Sequence, residues 1–83
     1  MQYQVYILFS STINQYYIGH THDLNDRLIR HNHSGSKATK KANDWKVVYA
    51  EKFDSKAAAY QREMEIKKKK SRKYIETLIS SAG

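Results

Sequence analysis

Residues 3–19 read YQVYILFSSTINQYYIG, two apolar runs around a polar turn, and they decide the fold. Tyr3 to Phe9 is rich in β-branched and aromatic side chains, and Tyr16 to Gly19 repeats that character after Ser10-Ser11-Thr12-Ile13-Asn14-Gln15. Such a pair reads as a β-hairpin. Side chains alternate between the faces of a strand, so the register follows from which face is buried. With Ile7 opposite Ile18 and Phe9 opposite Tyr16, the residues Val5, Ile7, Phe9, Tyr16 and Ile18 make one apolar face. Tyr6, Leu8, Tyr17 and Gly19 make the other. Tyr6 then lies across from Gly19, whose missing side chain leaves space beside it, and Tyr17 lies across from Leu8. Two phenols share a face next to a gap, although ordinary sheet packing also places tyrosines in strands.

Beyond the hairpin, Leu24, Leu28 and His31 recur at helical spacing, predicting a helix from Asp23 to about Asn32 with Thr21 or Asp23 as its cap. Residues 33–43 show no apolar period and read as a basic loop around Ser34-Gly35-Ser36, Lys37, Lys40 and Lys41. Trp45 to Phe53 reads as a third strand. Asp54 or Ser55 then caps an alanine-rich helix running to about Lys69. A last helix covers Ser71 to Ser80, with Ile75, Leu78 and Ile79 inward. The order ββαβαα predicts an α+β fold, a small three-stranded and mostly antiparallel sheet flanked by helices, with residues 1–83 as one domain.

Eighty-three residues bury about 60–65% of their unfolded surface, so the core is modest. The chain has no cysteine, which excludes disulfides and thiolate metal sites. No stretch approaches the roughly 20 apolar residues of a membrane span, and the N-terminal run lacks a signal peptide's charged start, so a cytoplasmic, membrane-free protein is expected. The net charge of +7 is unevenly spread. Residues 1–36 carry two basic and two acidic side chains, and residues 37–83 carry thirteen and six. Clustered cations suit a polyanion, because each neutralised phosphate releases counterions. A solvated lysine-rich helix face would have the same composition.

Three positions stand out for chemistry. Arg27 and His31 are four apart and share the helix face of Leu24 and Leu28, which predicts a place at the rim of the core rather than in open solvent. A guanidinium there can grip a phosphate, or simply lie over apolar surface. Ala59, Glu63 and Ile66 fall on one helical stripe, so Glu63 lies between apolar positions and needs a partner. That partner is a hard cation such as Mg²⁺ or a salt bridge with Arg62, Lys67 or another helix. A competing stripe through Ala57, Tyr60 and Met64 leaves the inward face open.

In this order these features resemble the GIY-YIG endonuclease superfamily, and more narrowly its small stand-alone, excinuclease-like members. The first motif stands as Gln4-Val5-Tyr6 and keeps only the tyrosine, whereas Tyr17-Ile18-Gly19 is intact. The match continues through Asp26-Arg27-Leu28, His31-Asn32, the tryptophan-led strand, Glu63-Met64-Glu65-Ile66-Lys67 and Lys70-Ser71-Arg72. No counterpart appears for the asparagine that many relatives carry near the domain's end. The resemblance implies a metal-dependent DNA endonuclease that hydrolyses phosphodiester bonds, as in DNA repair or recombination, with Tyr6, Tyr17, Arg27, His31 and Glu63 as catalytic residues. It implies that Glu63 holds Mg²⁺ or Mn²⁺, that Arg27 offsets charge on the phosphate, and that Tyr6, Tyr17 or His31 orients or deprotonates the water. His20, Lys37, Lys40, Lys41, Lys67, Lys70, Arg72 and Lys73 form the expected nucleic-acid-binding set, acting as a monomer or weak dimer, with or without a protein partner.

Other readings of the same residues are a catalytically inactive nucleic-acid-binding module with this fold, a zinc site from His20-x-His22 and His31-x-His33, and attachment of the lysine cluster to an anionic membrane. A binding module has no need of a carboxylate facing phosphate. The two histidine pairs lie on different predicted elements, and the lysine-rich helix lacks a broad aromatic and leucine face.

Overall fold

The computed structural model describes residues 2–33 and 39–82. Strands β1 (Tyr3–Ser10), β2 (Gln15–Thr21) and β3 (Lys46–Phe53) form one antiparallel sheet in the order β2-β1-β3. Helices α1 (Leu24–His33), α2 (Lys56–Lys69) and α3 (Arg72–Ala82) complete the ββαβαα order, an α+β fold as the sequence predicts. The hairpin register also matches, with Ile7 opposite Ile18, Phe9 opposite Tyr16 and Tyr6 opposite Gly19. Among the described residues no helix is long and apolar enough to cross a membrane.

The middle strand organises everything else. Val5, Ile7 and Leu8 are wholly buried and Tyr6 is 2% exposed, so β1 is covered on both faces. Its odd-numbered side chains pack with Ile18 against Ala59 and Ile66 of α2 and Tyr74, Ile75 and Leu78 of α3. Its even-numbered ones pack with Trp45 against Leu24 and Leu28 of α1, Tyr17 and Ala42. Burying each large apolar side chain contributes about 1.5–3 kcal/mol, and two thin layers of them flank the sheet.

Local chemistry sets the element ends. Asp23 caps α1 by accepting the Asp26 N–H at 3.1 Å, and the Thr21 hydroxyl accepts the Asp23 N–H at 3.1 Å. Ser55 caps α2 by accepting the Ala58 N–H at 3.1 Å. At its other end Lys70 adopts the left-handed conformation (φ 46°), which turns the chain into α3. Of the two candidate stripes on α2, the one holding Ala59, Glu63 and Ile66 faces inward, while Tyr60 is 51% exposed.

The third strand starts one residue later than predicted. Trp45 lies outside it, and the Asn32 amide takes the place of a strand partner there. Asn32 Oδ1 accepts the Trp45 N–H at 2.7 Å, and its Nδ2 donates to the Trp45 carbonyl at 2.9 Å. The Trp45 indole N–H donates to the Thr39 carbonyl at 2.8 Å. Asp44 fixes the hairpin turn to this point by accepting from the hydroxyls of Ser10 (2.5 Å), Ser11 and Thr12 and from the Thr12 N–H. The Ser10 hydrogen bond and the Thr12 and Ser11 bonds hold the Asp44 carboxyl well below the usual carboxylate range.

The space expected beside Gly19 is filled by the Tyr6 phenol itself. A Cβ on Gly19 would lie 2.6 Å from the Tyr6 hydroxyl oxygen, 2.8 Å from the ring carbon bearing it and 3.2 Å from the Tyr17 ring. The phenol belongs to a residue that is only 2% exposed. Gly19→Ala is therefore expected to lower the unfolding free energy by about 1–3 kcal/mol in urea titrations. An unchanged midpoint would mean that Tyr6 does not pack over Gly19.

Candidate functional site

Strand alternation divides the candidate residues between the two faces of the sheet. Tyr6, Tyr17 and Gly19 face α1, whereas Ile18 and His20 face α2. On the α1 side the Tyr6 hydroxyl meets His31 Nε2 at 3.0 Å, and His31 Nδ1 meets the Thr39 hydroxyl at 2.9 Å. The Tyr17 ring lies 4.8 Å from the His31 ring and 6.4 Å from that of Tyr6. His31 is only 5% exposed, deeper than the rim position that its helical spacing predicts, and Tyr17 is half-buried.

Burial decides the protonation of this group. Desolvation, with Tyr17 beside it, pushes the Tyr6 phenol above the ordinary tyrosine value; Arg27 opposes the shift and Glu63 adds to it. Desolvation and then the Arg27 charge push His31 below the ordinary histidine value. A protonated phenol next to a neutral imidazole satisfies both contacts in either tautomer: Tyr6 donates to Nε2 while Nδ1–H donates to the Thr39 hydroxyl, or Nε2–H donates to the Tyr6 oxygen while Thr39 donates to Nδ1.

On the α2 side Glu63 is 7% exposed and both its oxygens are engaged. Oε1 accepts from His20 Nδ1 at 2.6 Å and Oε2 from the Lys67 ammonium at 2.6 Å. Arg62, the other partner considered from sequence, turns instead to Glu51 on β3 and Glu65. Tyr60 packs edge-on over His20, with ring centroids 5.9 Å apart. One hard carboxylate that already accommodates a positive charge on an outer oxygen fits a divalent ion, which commonly takes one or two carboxylates plus waters and substrate phosphate. Among the described residues no three His, Cys, Asp or Glu side chains gather around a common point. His20 is held by Glu63, and His31 by Tyr6 and Thr39.

The two halves meet at the end of the edge strand. An open pocket of about 380 Å³ there is lined by Tyr3, His20, Thr21, His22, Arg27 and Lys56. It brings Arg27 from the α1 side next to His20, the Glu63 partner. Arg27 is more exposed than the predicted rim position, and neither its side chain nor that of Lys56 makes an ion pair among the described residues. No acidic side chain lines the pocket.

The remaining cations are dispersed. Lys40 and Lys41 line a second pocket with His31 and Asn32. Lys67, Lys70 and Arg72 line a third, with Tyr16, Ile18 and Ile66. Arg72 is largely committed to structure, since it binds the Asn14 carbonyl and side chain, pairs with Glu76 and lies over the Tyr16 ring. Lys73 is exposed on α3, and Lys37 lies outside the described residues. Sequence reasoning missed Lys56 and Thr39. Ser55 as a cap places Lys56 at the first turn of α2, but only the fold puts that turn beside Arg27.

A family model described as the GIY-YIG catalytic domain matches residues 2–75. The UPF0213 protein YazA of Bacillus subtilis is 40% identical over 67 residues, covering 76% of this chain and 68% of that protein. A UPF0213 protein of Staphylococcus saprophyticus is 44% identical over 52 residues, 61% of this chain, and the match spans 63% of that relative, less than two thirds of its length. Among solved structures, the solution NMR structure of a UPF0213 protein from Bacillus halodurans superposes with a TM-score of 0.62 at 33% identity, covering all of this chain and 87% of the other.

Neutral, buried His31 makes stability pH-dependent. Its folded-state pKa lies below the unfolded value of about 6.5, so the unfolded chain binds more protons as pH falls through that value. Stability present above about pH 6.5 is then lost on acidification. In urea titrations, the stability advantage of the native chain over His31→Gln should shrink between about pH 8 and pH 5. A constant difference would mean that His31 titrates normally.

Proposed function

Because the chain belongs to the GIY-YIG catalytic domain family, whose activity is of the nuclease type, we propose that it is a metal-dependent endonuclease hydrolysing DNA phosphodiester bonds. Residues 1–83 act as one unit in this reading, and DNA repair or recombination is the process it serves. The observation that carries it is the pocket at the sheet's end, where Arg27 and Lys56, without an ion pair among the described residues, stand beside His20 and, through it, the buried Glu63 carboxylate. A cationic pocket next to an anionic oxygen donor is what hydrolysis of a phosphodiester needs.

Glu63 is the residue to hold Mg²⁺ or Mn²⁺, with His20 fixing the carboxylate through Oε1. When bound, such an ion supplies Lewis-acid polarisation of the phosphate and leaving oxygen. Arg27 binds the non-bridging oxygens and offsets charge that grows on them in the transition state. Lys56 and His22, on the same pocket wall, grip the backbone next to the scissile phosphate. Tyr6 stays protonated and holds the His31 ring in place through Nε2, while half-buried Tyr17 is the phenol a substrate-side water can reach. Recognition rests on backbone and DNA shape, since the cations are scattered over three pockets.

The test is cleavage of labelled single-stranded, duplex, flap and branched DNAs with Mg²⁺, Mn²⁺ or EDTA. Nicking is expected only with metal, and Glu63→Ala and Arg27→Ala should each reduce kcat/KM by roughly 10²-fold or more. Binding without cutting in any metal would replace this reading with an inactive binding module. For the pocket, Lys56→Ala should weaken DNA binding and flatten the plot of log K against log salt by about 0.9. An unchanged slope would remove Lys56 from the interface.

A further inference from the structure

Lys67 lies four residues after Glu63 on α2, and its ammonium sits 2.6 Å from Oε2. The two partners of the carboxylate differ in kind. His20 is 21% exposed, comes from β2 and lies under the Tyr60 ring. Lys67 is 44% exposed and belongs to the same helix as Glu63, so it can leave Oε2 by side-chain rotation alone, without moving the fold. A carboxylate buried between Ala59 and Ile66 requires a counter-charge, and removing one without replacement is costly. A divalent cation on the same oxygen would satisfy that requirement, but it would sit within about 4 Å of the ammonium, where like charges repel. The ammonium and the ion therefore compete for Oε2.

We infer that Lys67 is a placeholder for the metal on Glu63: it neutralises the buried carboxylate before loading and vacates Oε2 when the ion binds. This rests on reading Glu63 as the metal carboxylate. The released ammonium remains on the rim of the pocket it shares with Lys70 and Tyr16, where a nucleic-acid phosphate can take it. Lys67 is thus a positioning residue. It exchanges one anionic partner for another, which makes metal loading and DNA binding mutually reinforcing.

The experiment is Mn²⁺ binding to the DNA-free protein, followed by electron paramagnetic resonance of the free ion, for the native chain, Glu63→Gln, Lys67→Met and Lys68→Met. Lys68 is exposed on the same helix, so its variant controls for loss of net charge. Lys67→Met should bind Mn²⁺ about tenfold more tightly than the native chain, and Lys68→Met within about twofold. If Glu63→Gln weakens binding but Lys67→Met and Lys68→Met behave alike, the placeholder is overturned while Glu63 remains the metal carboxylate. If the native chain and Glu63→Gln bind equally, both ideas fall. A second measurement needs no variant: Mg²⁺ titrated into the native protein should shift and sharpen the Lys67 side-chain NMR signals as the ion pair opens. Unchanged Lys67 signals at saturating metal would also overturn the placeholder.

Discussion

Double-sided burial of β1 is the constraint on which the rest of the structure depends. A chain of 83 residues has little apolar material, and four consecutive buried positions in one strand concentrate it there. Covering both faces requires helices on both sides, so α1 and the segment before β3 take one face and α2 with α3 take the other. Neighbouring residues on β2 must then point into different layers. Tyr17 and His20 belong to opposite faces for that reason, and groups from the two layers meet only around the sheet's edge. The pocket joining Arg27 to His20 is a consequence of this geometry.

The two layers treat buried polarity differently. On the α1 side, desolvation favours neutral forms, and Tyr6, His31 and Thr39 form a chain in which each proton has an acceptor. On the α2 side, Glu63 keeps two close donors, one of them the Lys67 ammonium. A neutral network is stable without outside help, whereas an ion pair reaching the surface through a half-exposed lysine is open to exchange with other cations. In the proposed function the metal carboxylate therefore belongs to the charged side, and Arg27 and Tyr17 reach the substrate from the other. The neutral side supplies rigidity, with Tyr6 packed over Gly19 and Asn32 fixing Trp45.

Period-two and helical patterns made most of the fold legible. The hairpin register could be read because a slip of one residue would have turned Val5, Ile7 and Ile18 to the wrong face. The inward stripe of α2 was ambiguous, since alanines and one tyrosine permit either face; contact of Ala59 and Ile66 with β1 selects it. Element ends at Lys46 and Arg72 depended on an amide imitating a strand partner and on a left-handed lysine, neither of which has a periodic signature. Among the candidate residues, Glu63 was readable as buried and Lys67, four residues on, was among the partners its helical spacing offered, but His20 was not. His20 lies 43 positions away and enters through strand pairing, and Arg62, adjacent in sequence, points to β3. Thr39 lies where no period exists and Lys56 at the first turn of a legible helix, but only tertiary packing brings them to His31 and Arg27.

Helix α2 ties these layers to the charge distribution. Glu63 lies near its middle, Lys56 opens it beside Arg27, and Lys67 and Lys70 close it beside Tyr16. Lys67 lies eleven positions after Lys56, roughly 16 Å by helical rise, which is enough to follow a few nucleotides of one strand. Part of the excess of cations in the second half of the chain thus lies at the two ends of α2, Lys56 at one and Lys67 to Lys70 at the other. A polyanion lying along α2 would be attracted at both ends and would meet Glu63 between them, where like charge opposes closer approach unless a cation intervenes. Lys67 supplies that cation in the free protein and, in the proposed mechanism, yields the position to a metal ion. In that mechanism the field of the helix favours a substrate and an ion arriving together over either one alone.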